Sequence, residues 1–236
     1  MKFQIRMVDL TIEIHYRYAY IRKQCEAWIC KEETIEPDMV IEVSEEDILK
    51  EKEEAEVPVT EGYCESICIY RAIARKLTAF SAFVMHGAVV ELDGEAYVFA
   101  ARSGVGKTTH TKLWIKYFEG KASYINGDKP VMRWRDDRLY AYGTPWMGKE
   151  NFGCQRCAPV KAVCFLERGL ENEIRRAEDS EIVNRLFQQI LLPVKQDEVI
   201  VFMEMMDRMA VQIPFYLLKC NISLEAVETA YEAMRG

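Results

Sequence analysis

Polar and apolar residues alternate along Thr11-Ile12-Glu13-Ile14-His15, within a stretch from Phe3 to Tyr20 rich in Ile, Val, Tyr and Thr, and a period of two predicts strand. A second short strand is expected at Met39–Val43, after Pro37. Between Glu65 and Thr78 the period changes: Ile67, Ile69, Tyr70, Ile73, Ala74 and Leu77 recur at helical spacing, with Arg71, Arg75 and Lys76 between them. Residues 1–78 therefore read as a β-rich N-terminal subdomain ending in a helix, and residues 79–236 as a second domain.

That second part opens on two strand-like runs, Phe83–Leu92 and Glu95–Ala100, joined at Asp93-Gly94, a strong hairpin signal between apolar runs. Thr108–Phe118 reads as a helix with Leu113, Trp114, Tyr117 and Phe118 as its apolar positions. Further strands are expected at Ala122–Asn126, Val131–Trp134, Leu139–Tyr142 and Val160–Leu166, two of them joined by the turn Arg135-Asp136-Asp137-Arg138. A helix at Glu181–Leu192, a strand near Val211–Leu218 and a helix at Ser223–Met234 complete an α/β count. Nine of the 12 glycines lie between Gly87 and Gly153, which gathers special backbone geometry into one stretch.

Composition narrows the class. The chain has 236 residues, of which 50% are hydrophobic and 29% charged, enough for a sizeable core and incompatible with a disordered chain. The net charge of −7 is local, because the run from Ser44 to Glu56 carries −5 of it, as expected of a solvated helix face or loop. Without a basic surplus the electrostatic footprint of a nucleic-acid binder is missing. A spanning helix needs about 20 apolar residues. The stretch from Phe80 is interrupted by His86, and that from Val199 by Glu204 and Asp207. Lys2, Arg6 and Asp9 leave no signal-peptide core in the first ten residues, so a soluble cytoplasmic chain without membrane partners is expected. The 8 cysteines are scattered, as for buried thiols in a reducing compartment. Cys154-Gln155-Arg156-Cys157 has zinc or redox spacing, but tetrahedral zinc takes about four ligands and no second pair or nearby His completes the set.

The chemistry is carried by Ala101-Arg102-Ser103-Gly104-Val105-Gly106-Lys107-Thr108, which has the spacing of a phosphate-binding loop between a strand and a helix. Phosphate oxygens need many N–H donors at close range. Gly104 and Gly106 permit such a backbone, and the helix N-terminus adds its positive end. The nucleotide-binding set is Ser103, Gly104, Val105, Gly106, Lys107, Thr108 and Thr109, with Lys107 reaching the β- and γ-phosphates and the Thr108 hydroxyl suited to Mg²⁺. No Asp-x-x-Gly or Asn-Lys-x-Asp element of a GTPase follows.

His86-Gly87, the strand pair through Asp93-Gly94, the Ser-Gly-Val-Gly-Lys-Thr loop and the acid in Gly127-Asp128 resemble the catalytic domain of HPr kinase/phosphorylase. They are similar, more loosely, to the ATP-binding core of phosphoenolpyruvate carboxykinases. The HPr kinase-related proteins of bacteria also place a segment like Asn126-Gly127-Asp128-Lys129-Pro130 before one like Tyr142-Gly143-Thr144-Pro145-Trp146-Met147-Gly148-Lys149. The resemblance covers residues 86–169, roughly a third of the chain. It implies a P-loop kinase core with a mixed sheet, ATP and Mg²⁺ as cofactors, Asp128 as base or metal ligand (with Thr108 as the other metal ligand), and His86 beside that acid. It also implies a homo-oligomer and transfer to a serine-type hydroxyl on a small molecule, peptide or protein. Lys149, in the glycine-rich loop after Trp146, is a candidate for offsetting charge on the transferred group. Two positions depart from the family pattern: Gly127 stands where the first of two aspartates is usual, and Ala101 replaces the loop's opening Gly. The later Arg/Asn-containing signature is missing, so reverse phosphorylase activity is not expected. Rival readings are a nucleotide-binding regulatory or assembly protein and a carboxykinase-like enzyme. The latter would need an arginine cluster, for which the chain offers Arg102 and Arg133.

The remaining polar positions carry structural expectations. His15 reads as a surface residue of a strand and His110 as solvent-facing. Trp114, Trp134 and Trp146 read as core or pocket walls, Glu167-Arg168 as a turn, and Met203, Met205 and Met206 as core.

Overall fold

The computed structural model describes residues 1–31, 36–193 and 196–236, and the chain divides into two compact units, Met1–Leu77 and Thr78–Gly236.

In the first unit, β1 (Lys2–Met7) and β2 (Leu10–His15) form a two-residue hairpin whose turn, Val8 and Asp9, has φ of 59° and 58°. Two positive φ values match the twist of the paired strands, at some steric cost to the β-branched Val8. The strand-like run ends there, since α1 (Ala19–Gln24) follows. The reason lies far along the chain. The buried Glu65 carboxylate accepts the Arg17 and Tyr18 amides at 2.6 and 3.0 Å, which satisfies donors at the start of α1. Strand β3 (Met39–Ile41) pairs parallel to β2. Helix α2 (Glu45–Glu53) occupies the acidic run, started by a capping box in which Ser44 and Asp47 bond reciprocally. Helix α3 (Glu61–Lys76) closes the unit. Helix outweighs strand here, which corrects the β-rich expectation: propensity in Tyr18-Ala19-Tyr20-Ile21 yields to the tertiary cap from Glu65.

The second unit is mixed α/β. Its strands are β4 (Ala82–Val84), β5 (Ala88–Leu92), β6 (Glu95–Ala100), β7 (Ser123–Asn126), β8 (Val131–Arg135), β9 (Arg138–Tyr142), β10 (Cys157–Arg168), β11 (Glu173–Arg176) and β12 (Phe215–Cys220). Its helices are α4 (Lys107–Tyr117), α5 (Asp179–Phe187), α6 (Gln196–Gln212) and α7 (Leu224–Met234). The run Phe83–Leu92 is thus two strands broken at His86-Gly87, each serving a different set of neighbours. The sequence pattern did not separate β11 or α6. The latter has apolar residues on much of its circumference, including exposed Ile200 and Val201, which blurs its helical period.

Long strand β10 joins two sheets. Its first residues pair antiparallel with β9, which continues through β8 to β4; its later residues pair parallel with β6 on one side and β12 on the other. Strand β5 runs antiparallel between β6 and β7, so β6, β7, β10 and β12 share one direction. Their C-terminal ends and the start of β5 therefore meet at one sheet edge.

Strand β6 is buried on both faces. Tyr97 and Phe99 pack with Trp114 of α4 and Val227, Ala230 and Met234 of α7. Ala96, Val98 and Ala100 pack instead with Ile182 and Leu186 of α5, Phe202, Met205, Met206 and Met209 of α6, and the β4–β8–β9 sheet. The alternation of one strand thus assembles both cores. Trp134 and Trp146 are also buried, whereas Met203 is exposed at 39% and leaves the core to Met205 and Met206.

Trp114 is fully buried and its ring centroid lies 5.0 to 5.3 Å from those of Tyr97, Phe99 and Phe118. Trp114→Ala is expected to cost about 3–5 kcal/mol, read as a lower urea midpoint by far-UV circular dichroism.

Candidate functional site

The loop 101–106 leaves β6 at the shared edge and opens α4. Gly104 and Gly106 have φ of 79° and 131°, and nothing lies within 4 Å of where a side chain on either would stand. The first amides of α4 have no partner within the helix, and the first i→i−4 bond is His110 N–H to the Gly106 carbonyl at 2.9 Å. Ser103, Gly104 and Thr109 are exposed, with Val105, Gly106 and Thr108 half-buried. Lys107 is buried at 9% exposure, its ammonium donating to the Ala101 carbonyl at 2.8 Å. Burial pulls the Lys107 ammonium below the ordinary lysine range; the nearby Asp128 charge works against this and Lys129 with it.

Asp128 follows β7 at the same edge. Its Oδ1 lies 3.2 Å from His86 Nε2 and its Oδ2 accepts from Lys129 Nζ at 3.1 Å, with His86 and Asp128 about a third exposed. Burial pushes the Asp128 carboxyl up, but the His86 hydrogen bond and the Lys129 charge outweigh it and leave it below the usual carboxylate range. The carboxylate is ionised through the neutral range.

Asn126 fixes this loop. Fully buried, it accepts the Asp128 and Lys129 amides on Oδ1 at 2.9 and 2.8 Å and donates Nδ2 to the Thr144 carbonyl and hydroxyl. The Thr144 hydroxyl in turn donates to the Lys129 carbonyl at 2.8 Å. Gly87 N–H binds the Asp128 carbonyl at 3.0 Å, tying the His86 segment to the acid. The Gln189 amide, turned so that both its neighbours are satisfied, places Nε2 3.2 Å from the His86 and Ala101 carbonyls, joining the histidine to the glycine loop.

The segment 147–153 covers the acid. A side chain on Gly148, at φ 78°, would stand 3.0 Å from Asp128 Cβ, and one on Gly127 would stand 3.0 and 3.2 Å from the Met147 and Phe152 carbonyls. A second aspartate in place of Gly127 would press on these carbonyls, and the covering segment would have to give by a few tenths of an ångström. Phe152 stacks on Tyr124 at 4.5 Å, and Lys112 of α4 pairs with Glu150 at 3.0 Å.

The structure brings Lys107, His86 and Asp128 to one edge with the loop Ser103–Thr109. It leaves Lys149 exposed on the turn after Gly148, with no bond to His86 or Asp128 among the described residues. His110 does not face solvent: it is 3% exposed and accepts Trp114 Nε1–H on Nε2 at 3.0 Å, one helical turn away. Sequence reading missed Gln189, which carries no motif, and took Glu167-Arg168 for a turn, whereas both residues end β10 and Arg168 donates to the Gly104 and Val105 carbonyls at 2.6 and 3.3 Å. It also missed Lys129, although that residue adjoins Asp128. Among the described residues no disulfide forms, and Cys154 and Cys157 serve different elements, the former donating Sγ–H to the Tyr124 carbonyl at 3.1 Å and the latter opening β10. Among the described residues no group of three or more His, Cys, Asp or Glu is placed to hold a metal ion, and no helix is long and apolar enough to cross a membrane.

Burial holds His110 neutral, its value lowered to about 4 from 6.5. The unfolded chain therefore binds an extra proton between those values, so this group's contribution is present above about pH 6.5 and is lost as pH falls toward 4, roughly 3 kcal/mol in all. Urea unfolding at pH 7 and pH 5 is expected to show a smaller acid loss of stability in His110→Gln than in the parent.

No family model and no curated protein matches the chain. Among solved structures, the HPr(Ser) kinase/phosphatase from Coxiella burnetii is similar over 65% of this chain and 99% of that one, with a TM-score of 0.38 and 10% sequence identity. The likeness is a distant one.

Proposed function

We propose that the unit Thr78–Gly236 is a phosphotransferase that moves the γ-phosphoryl group of ATP to a hydroxyl of a small molecule, peptide or protein. The observation that carries this reading is the meeting, at one sheet edge, of an open glycine loop at a helix N-terminus and an ionised carboxylate held by a histidine.

The loop fits a polyphosphate. Its positive-φ glycines have open space before them, and the α4 N-terminus supplies amides and a positive dipole end. Lys107 brings a cation to the β- and γ-phosphates. Thr108 and Asp128 offer one hydroxyl and one carboxylate to Mg²⁺, which takes its other ligands from phosphates and water and, when bound, neutralises charge on the transferred group. Arg168 holds the Gly104 and Val105 carbonyls and the Val105 N–H turns back to the Arg102 carbonyl, which leaves the Gly106 N–H and the first amides of α4 for a phosphate.

Asp128 is the base in this reading. His86 holds Oδ1 and so aims Oδ2 at an incoming hydroxyl. As the acceptor oxygen bonds to the γ-phosphorus, the bond from that phosphorus to the β,γ-bridging oxygen breaks. Its electron pair leaves with ADP, and the hydroxyl proton passes to Asp128. Positioning and charge do most of the work in such a transfer.

Lys107→Ala is expected to abolish the thermal shift given by Mg-ATP; an unchanged shift would remove the loop from the reading. Labelled ATP screened against hydroxyl metabolites and serine peptides should show transfer that falls by about 10²-fold or more in Asp128→Asn, with nucleotide binding kept. Retained transfer in that variant excludes Asp128 as base. Nucleotide binding with no acceptor labelled favours a regulatory protein instead.

A further inference from the structure

We propose that Lys129 is a further catalytic residue of this site: its ammonium rests on Asp128 Oδ2 and moves onto the terminal phosphate when the triphosphate binds, leaving Oδ2 open to the acceptor hydroxyl. This rests on the phosphotransferase reading and adds to it a residue and an order of events.

Three observations carry it. Asp128 has a partner on each oxygen, Oδ1 with His86 at 3.2 Å and Oδ2 with Lys129 at 3.1 Å, so an acceptor hydroxyl approaching Oδ2 competes with an ammonium already bonded there, which also lowers the basicity of that oxygen. The two partners differ in freedom. His86 is held through its backbone, its amide donating to the Gln189 carbonyl and its carbonyl accepting from the Gln189 amide, whereas the Lys129 side chain ends in an ammonium on a flexible four-carbon stem with no other described hydrogen bond. The Lys129 backbone is fixed at both ends of its peptide, N–H on Asn126 and carbonyl under the Thr144 hydroxyl, so only the side chain has to move. The destination is near. Lys107, the cation of the glycine loop, donates to the Ala101 carbonyl at 2.8 Å, Gln189 joins that carbonyl to the His86 carbonyl, and His86 rests on Asp128. A triphosphate end between Lys107 and Asp128 therefore meets a second ammonium already in the pocket, and its several negative charges outbid a single carboxylate.

The test is a double-mutant cycle read by calorimetry with metal-free inorganic tripolyphosphate as probe, on the full chain, across the parent, Lys129→Gln, Asp128→Asn and the double variant. Lys129→Gln should weaken binding by about tenfold or more in the Asp128→Asn background, where the ammonium has no ion pair to leave, and by a smaller factor above twofold in the parent background. Lys129→Arg should keep most of the affinity. An effect below twofold in both backgrounds shows that Lys129 never reaches phosphate, and equal losses in both show that it does so without leaving Asp128; either overturns the exchange. Thermal melts of each variant establish folding, and Lys129→Met replaces the Gln variant if that one is unstable. Lys107→Ala in the same assay separates the two claims. If it leaves tripolyphosphate binding unchanged, the loop reading itself fails; if it abolishes binding while Lys129→Gln has no effect, only the exchange fails.

Discussion

Strand β5 runs backwards between β6 and β7, and that reversal decides which groups share a sheet edge. A crossover connection would have put the start of β5 at the far end of its neighbours. The two-residue turn at Asp93-Gly94, with φ of 53° and 81°, sends the chain straight back instead. His86 therefore precedes β5 beside the exit of β6, where the glycine loop begins, and beside the exit of β7, where Asp128 stands. Two ties at the site follow from this pairing: the Gly87 bond to the Asp128 carbonyl and the Gln189 bridge from His86 to Ala101.

Rigidity around Asp128 is built mostly from backbone acceptors and small residues. Asn126 and Thr144, both buried, satisfy one another and the loop between them, so the peptide carrying the acid has its groups committed. A network of that kind is stable only when complete, since an unmet buried polar group costs more than a bond returns. Motion is left to side chains at the surface of the network, the Lys129 ammonium among them.

The parts of this picture legible in sequence are those set by local rules. Asp93-Gly94 announced the hairpin, and the glycine spacing before Lys107-Thr108 announced a strand, loop and helix in that order. What was not legible depends on partners far along the chain. Nothing near Tyr18 says that Glu65 will cap it, so the start of α1 looked like strand. His110 looked solvent-facing because its burial depends on Trp114 and Phe99 closing over it. Gln189 reaches Ala101 from 88 positions away and Arg168 reaches Val105 and Gly104 from 63 and 64, and no spacing rule connects them to the loop.

The cramped surroundings of Gly127 have a consequence for anyone redesigning this protein. Because a β-carbon at 127 would stand 3.0 and 3.2 Å from the Met147 and Phe152 carbonyls, a two-carboxylate version asks the covering segment to yield. The segment that would yield is the one built on Gly148 and the Tyr124–Phe152 stack, so an acid added at 127 is best paired with a loosening change in that cover.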